Sequence, residues 1–439
     1  MTAAGDVTRK PVITLIGAGS SVFGFNMCMD ICQTAVLKGA EIRLVDLNAE
    51  RLAVMRRLFE LVSEKTGMAL RIQTQTDRAK ALPRSDFVIV AVARERVERW
   101  DKDLEISRRH GIVETQGECG GPGGLSLTLR NIPLLLEIAR DVERLAPKAL
   151  IINFSNPMTR VCLAICRYTK ANCVGLCHGL LGAQNMLADL LGRKVIVRGC
   201  GINHFNWISD AVWADNGQSC WEVVKEKFPQ SDLPHWKYTR ELFKVFGAVV
   251  SPGDGHIADF IHHWRGEKDG LHPDYDLHPK AMPWYRTFAA DWEQRMNDYL
   301  CGKRDPLADV HGLSGEGAIP IICSYSGISE PYQDIAVNIP NQGAIGNLPQ
   351  DALVEVPAMV SRGRIQGVPC APLAKGIRSL VGRQLEIAEL AVEAAVERSY
   401  SKALQALAID PIVTDLRFAQ AYLDDILAAH KDLVGEFSK

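Results

Sequence analysis

The chain has 439 residues, 47% hydrophobic and 23% charged, which is enough apolar material for a large core and more length than one core usually fills, so two domains are expected. A formal net charge of −2 and a pI near 6.6 exclude the basic surface of a nucleic-acid binder and an acidic tail, leaving a small molecule as the expected ligand. No leader peptide and no apolar run near the ~18 residues needed to span a bilayer is legible, and twelve irregularly spaced cysteines make no disulfide framework; a cytoplasmic protein with mostly reduced, buried thiols is expected, with no nucleic-acid or membrane partner.

Val12 to Ile16 is a short β-rich run closed by Gly17, followed by a helical pattern to about Leu37. Glu41 to Val45 reads as a second strand and Ala49 to Thr66 as a helix. Phe87 to Val92 is a continuous apolar run of the kind buried on both faces of a parallel sheet, and Ala149 to Phe154 and Cys173 to Leu176 repeat it. Helices are predicted at Leu127 to Leu145 and Thr159 to Tyr168. The alternation predicts an α/β chain with a Rossmann-type, doubly wound parallel sheet. After Gly201 it stops, and aromatic residues, His and Pro become dense. The boundary is therefore set there, with residues 1–200 as the first domain and 201–439 as an α+β domain for substrate binding, metal completion and oligomerisation. Within the second, Phe228 to Pro306 carries many loop signals and only modest helical periodicity. Gly376 to Leu407 is amphipathic and helical, able to pack on the core or on another subunit.

Gly17-Ala-Gly19-Ser20 joins the first predicted strand to the first predicted helix, the setting in which a Gly-x-Gly turn carries meaning. Gly17 permits the tight turn, and Gly19 lets N–H groups at the helix start approach a pyrophosphate. Val22 stands where the fingerprint has its third glycine. Asp46 ends the second strand and can accept from ribose hydroxyls, which favours NAD over NADP. Gly17, Gly19, Ser20, Asp46 and Asn153 are the expected cofactor residues. Any βα turn can hold two glycines, but strand, turn, helix, strand and acid in order favour dinucleotide binding. By itself this fits an ordinary dehydrogenase.

Three further blocks carry chemistry: Gly117-Glu-Cys-Gly-Gly-Pro-Gly-Gly124, Asn153-Phe-Ser-Asn-Pro157, and Gly175-Leu-Cys-His178 with Gly201-Ile-Asn-His-Phe205. Cys177 follows an apolar strand-like run, at the carboxyl edge where open α/β sheets bind ligands, and His204 comes 27 positions later. A thiolate and an imidazole make half a site for a divalent metal, leaving positions for substrate oxygens and water. Taken alone, one Cys and one His are more often core packing.

Together these blocks resemble glycoside hydrolase family four, and the resemblance continues through Ser314-Gly-Glu316, Asn338-Ile-Pro-Asn-Gln-Gly343 and Val354-Glu-Val-Pro357. It implies an NAD- and metal-dependent glycosidase, a class outside two-carboxylate glycoside hydrolysis. The implied reaction oxidises sugar C3 with NAD, removes the acidified C2 proton, expels the aglycone from C1, adds water and reduces the ketone again. The resemblance assigns Cys177 and His204 to the metal, manganese or another divalent ion. It assigns Asn156 to substrate, and Arg99 too, with Trp100 as the alternative one position on. Glu118 matches an acid that raises the basicity of the catalytic base. Gly253-Asp-Gly-His-Ile-Ala-Asp259 is similar to the aspartate-base members, giving Asp254 as base, Asp259 in reserve and His256 as a substrate-side assistant; Asp is equally common as a turn residue or helix cap. His178 stands where phosphosugar-specific members carry an acidic group, which argues against a 6-phospho-sugar and makes His178 the acid candidate. His262, His263, Trp264 and Arg265 form an aromatic and basic cluster that could bind a C6 carboxylate or end a helix.

The leading expectation is a non-phosphorylated α-galactoside, α-glucoside or α-hexuronide as substrate, for a homodimer or homotetramer. A lactate/malate-type dehydrogenase sharing the fold is the alternative, and it predicts net NADH and no need for metal. A catalytically silent sensor, with Cys177 and His204 structural, is the third.

Overall fold

Each apolar run of the first half is a strand whose alternate side chains enter different cores. The computed structural model describes residues 9–262, 272–275, 277–280, 282–309 and 312–438. Strands β1 (Val12–Ile16), β2 (Glu41–Val45), β3 (Arg71–Gln75), β4 (Phe87–Val90), β5 (Leu150–Asn153) and β6 (Asn172–Gly175) are all parallel, in the order β3-β2-β1-β4-β5-β6. In β4, Phe87 and Ile89 face one core while Val88 and Val90 face the other. This is why the sequence shows a continuous run rather than alternation. The helices Ser21–Gln33 and Ala49–Lys65 cover the first face, and Gly121–Leu145 with Met158–Tyr168 cover the second.

The sheet does not end with the parallel half. Strands β7 (Val195–Ile202), β8 (Phe205–Trp213), β9 (Val249–Ser251), β10 (Tyr332–Pro340), β11 (Leu353–Ser361) and β12 (Arg364–Gly367) extend it in antiparallel fashion as β6-β10-β11-β7-β8-β9, with β12 beside β11. Residue 200 therefore lies inside β7, and the two halves share one sheet.

Several expected elements shift. The first helix stops at Gln33 and a short 3-10 turn, Ala35–Leu37, completes it. Met282–Leu300, read as loop-rich, is a 19-residue helix whose Trp292 and Tyr299 pack on Phe25. Gly376 to Leu407 is two helices, Lys375–Glu397 and Tyr400–Ile409, broken where Arg398 turns left-handed and the Ser399 side chain caps the second. Their buried faces complete the molecule's own cores, so the Lys375–Glu397 stripe is spent internally rather than on another subunit. Among the described residues no helix is long and apolar enough to cross a membrane.

Candidate active site

The nucleotide turn is built as the sequence implies. Gly17 sits at φ +89° and donates to Val45 O at 2.9 Å; a Cβ there would meet Ala91 O at 2.2 Å. Gly19 N–H donates to Asp46 Oδ2 at 2.9 Å, and a Cβ on Gly19 would lie 2.7 Å from that oxygen. Ser20 caps the following helix by accepting from Phe23 N. The turn lies beside β4 at the point where the strand order reverses, where open α/β sheets bind ligands, so these residues fit a dinucleotide. Asn153 departs from expectation: it is fully buried, its Oδ1 accepts from Ser155 N at 3.1 Å and its Nδ2 donates to Ser155 O at 3.0 Å. It staples the turn after β5 and faces no crevice. Glu293, which the sequence did not single out, reaches the turn from the helix Met282–Leu300, accepting from Ser21 Oγ at 2.9 Å and pairing with Arg51.

Cys177 follows β6 by two residues, and Gly179 N–H, at the start of the helix Gly179–Leu191, donates to its sulfur at 3.4 Å. His204 occupies the two-residue link between β7 and β8, where Ile202 pairs with Phe205, and takes φ +60°. A left-handed conformation is uncommon outside glycine and costs on the order of 1 kcal/mol. That conformation accompanies a close approach: Cys177 Sγ lies 3.3 Å from His204 Nε2. One ion can touch both donors, given metal–sulfur and metal–nitrogen bonds of about 2.3 and 2.1 Å. His204 Nδ1 is buried without a hydrogen-bond partner, and no group of three or more His, Cys, Asp or Glu suited to a metal exists among the described residues. A thiol and an imidazole nitrogen this close fit a divalent metal that takes its remaining ligands from substrate and water. Burial pushes the Cys177 thiol up to about 11. Burial alone would lower His204, but Cys119, Glu118 and Glu355 outweigh it and hold it up at about 9.

Around this pair the structure gathers most of the expected residues. His256 stacks edge-on against His204 with ring centres 4.6 Å apart, and burial together with His204 pushes it down to about 3, so it stays neutral. His178 Nδ1 lies 3.7 Å from Glu316 Oε2, and that carboxylate raises its pKa against the opposing effect of burial. Glu118 is buried and pairs with Arg96 at 2.7 Å, with the Asn156 side chain beside its carboxylate. Burial would raise Glu118, yet Arg96 and His204 bring it below its usual value.

Three expectations are corrected. Arg99 turns away from the cluster and is bound by Asp432, Glu95 and Ala429 O. Arg96, one turn earlier on the helix Arg96–Arg109, takes the position beside Glu118. Trp100 supports it: the indole donates to Gln116 O at 2.8 Å and its ring faces both Arg96 and Lys280. Asp254 is buried with both oxygens committed to the N-terminus of the helix Lys237–Phe246, accepting from Tyr238 N at 3.0 Å and Thr239 N at 2.8 Å. The reserve, Asp259, is likewise committed, accepting from Gln116 N at 3.2 Å and Gly117 N at 2.8 Å. Both aspartates hold loops rather than face the Cys177–His204 pair. Arg96, Cys119, Lys280 and Glu316 are additions: only Glu316, inside the Ser-Gly-Glu block, left a legible signal. His262 is exposed; His263, Trp264 and Arg265 lie outside the described residues.

The glycine run is a packing requirement. A Cβ on Gly120 would meet Asp259 O at 2.3 Å, and one on Gly123 would meet Gly117 O at 2.6 Å, so the loop bearing Glu118 and Cys119 is pressed between the helix start and the Asp254–Ile257 turn.

Comparison with known proteins identifies the family. The model of the family 4 glycosyl hydrolases matches residues 12–193 and that of their C-terminal domain matches residues 199–413. An alpha-glucosidase of Erwinia rhapontici is 31% identical, over 95% of this chain and 97% of its own length. An alpha-galacturonidase of Bacillus subtilis is 28% identical, over 94% and 96%. The fold matches a 6-phospho-alpha-glucosidase from gut microorganisms, solved with NAD and Mn2+, at a TM-score of 0.84 and 19% identity, covering 98% of this chain and 100% of that one.

Proposed function

Because the chain belongs to the family 4 glycosyl hydrolases, we propose that it hydrolyses non-phosphorylated α-glycosides, a galactoside, glucoside or hexuronide, with NAD and a divalent metal such as manganese as cofactors. The observation that carries the reading is the Cys177–His204 contact at 3.3 Å in a chain whose first βα turn is a Gly-x-Gly turn closed by Asp46. Family membership displaces the lactate/malate-type alternative.

When bound, NAD supplies reversible hydride transfer at sugar C3, and the metal supplies Lewis-acid stabilisation of the charge that develops between C2 and C3. Gly17 and Gly19 open the βα turn to the pyrophosphate, and Asp46 takes the adenosine ribose. Cys177 and His204 hold the metal. His178, whose pKa is raised by Glu316, stays protonated closer to neutrality than a free imidazole and can donate to the leaving oxygen. Asn156 and Arg96 orient sugar hydroxyls. With Asp254 and Asp259 committed to backbone N–H groups, Lys280 becomes the candidate for the C2 proton: burial lowers its ammonium from the usual value. His256, neutral beside His204, lines the pocket. The His178 substitution and the alpha-glucosidase and alpha-galacturonidase relatives favour an unphosphorylated C6. A cytoplasmic homo-oligomer completes the reading, supported by twelve free cysteines and by exposed Leu416 and Phe418 on the C-terminal helices.

The test is p-nitrophenol release from α- and β-linked galactosides, glucosides and uronides, with and without NAD and Mn2+, under reducing conditions. Cleavage of one α-glycoside that requires both additions and leaves no net NADH is expected. Failure to cleave any sugar, with NADH accumulating on a hydroxy acid, would sink the proposal.

A further inference from the structure

Four residues lie in one row across the sheet where its parallel and antiparallel halves meet: Gly175 on β6, Asn338 on β10, Glu355 on β11 and Gly201 on β7. The pairing of β10 with β6 consists of Asn338 with Gly175, and that of β11 with β7 consists of Glu355 with Gly201. Cys177 and His204 are the residues these two joints deliver. Their strands are not neighbours, since β10 and β11 stand between them, so the Asn338–Glu355 pair sets how the two donors meet.

Glu355 is 3% exposed, and all its hydrogen bonds come from asparagine amides: Asn203 at 3.0 Å and Asn338 at 3.2 Å on Oε1, Asn206 at 3.0 Å on Oε2. Asn203 is next in chain to His204, so its amide ties the carboxylate directly to the link that carries His204. Among the described residues no lysine or arginine pairs with Glu355. A buried carboxylate met only by neutral amides is costly unless a positive charge balances it. The Cys177–His204 pair, where a cation would balance it, is tied to it through Asn203 and through the Asn338–Gly175 and Glu355–Gly201 joints.

We propose that Glu355 is a positioning residue of the metal centre: through Asn203 and Asn338 it holds the strands of Cys177 and His204 together, and it supplies the buried anion that a divalent cation between them neutralises. This rests on the reading that Cys177 and His204 hold the metal. Outer partners of metal ligands act in this way, by fixing ligand orientation and local charge.

The experiment is Mn2+ binding to the EDTA-stripped full-length chain, read from the electron paramagnetic resonance of free Mn2+ without sugar or NAD. Glu355→Gln keeps the shape and removes the charge; because Asn203 and Asn206 each have a buried carboxamide oxygen without a partner, turning one amide over satisfies the new NH2 group. The Mn2+ Kd is expected to rise about 10–100-fold in Glu355→Gln, with Glu355→Asp falling in between and the NAD Kd unchanged. Should Glu355→Gln not fold, Asn203→Ser keeps the carboxylate and removes its tie to the link that carries His204, and the same weakening is expected. Wild-type Mn2+ affinity in whichever of these two variants is folded overturns the proposal. Cys177→Ser is measured alongside: wild-type affinity there would refute the metal-site reading itself, whereas loss in Cys177→Ser with retention in Glu355→Gln refutes the role of Glu355 alone.

Discussion

At the scale of single residues, the sharpest contrast is between two arginines on one helix. Arg96 pairs with Glu118 and faces Trp100 and Tyr285, while Arg99 is clamped by Asp432 and Glu95. Arg96→Ala is expected to lower kcat/KM by about tenfold or more, the loss of roughly one charged hydrogen bond to the transition state. Arg99→Ala should leave kcat/KM within about twofold and lower the unfolding midpoint instead, because its bonds tie the helix to the C-terminus. Kinetics and thermal melts of the two variants decide it. The sequence could not distinguish them, since both are arginines and which one faces the cleft depends on where the helix starts; it starts after Glu95, which takes φ +46°. Cys177 and His204 were singled out only through the family resemblance, since one Cys and one His taken alone are more often core packing. Cys119 was not, because a cysteine among glycines carries no sign of what packs against it.

At the scale of elements, legibility followed burial. Strands β4 and β5 are buried on both faces and wrote themselves as apolar runs, whereas β3 is an edge strand, Arg-Ile-Gln-Thr-Gln, with no such run to read. The β7–β8 hairpin was hidden by glycine and aromatic residues that read as the end of regular structure, yet those residues make the tight link that carries His204. Asp254 shows the same limit. The motif around it is similar to that of aspartate-base glycosidases, but the residue accepts the free N–H groups of a helix distant in sequence, which no local pattern announces. Asp254→Asn retains one acceptor oxygen. It is expected to cost about 0.5–2 kcal/mol of stability, as lost helix caps do, while kcat/KM stays within about tenfold. A fall of several orders of magnitude in activity with an unchanged melt would restore Asp254 as the base.

At the scale of the whole molecule, two buried acids meet where the second half of the chain packs on the first. Glu114, bound by Ser107 and Gly123 N, is pushed up to about 8 by burial and by Asp259; Asp259 itself is pushed up to about 7, mainly by burial. Each holds its proton more tightly folded than unfolded, so each contributes stability that is lost as pH rises from the ordinary carboxyl range through its folded value. His204, raised to about 9, has the same sign over the interval from 6.5 upward. His256 works the other way, but with a folded value of about 3 its effect is complete once the unfolded imidazole has lost its proton near pH 6.5. Between about pH 6.5 and 8.5 all three remaining terms point downward. The metal-free protein should therefore unfold at a lower temperature at pH 8.5 than at pH 6.5, measured in EDTA by calorimetry at fixed ionic strength. Added Mn2+ should flatten the decline, because a metal that binds the neutral imidazole and the thiolate binds the folded state more tightly as pH rises. A midpoint that rises across that interval without metal would mean that Glu114 and Asp259 are already ionised and compensated where the two halves of the sheet meet.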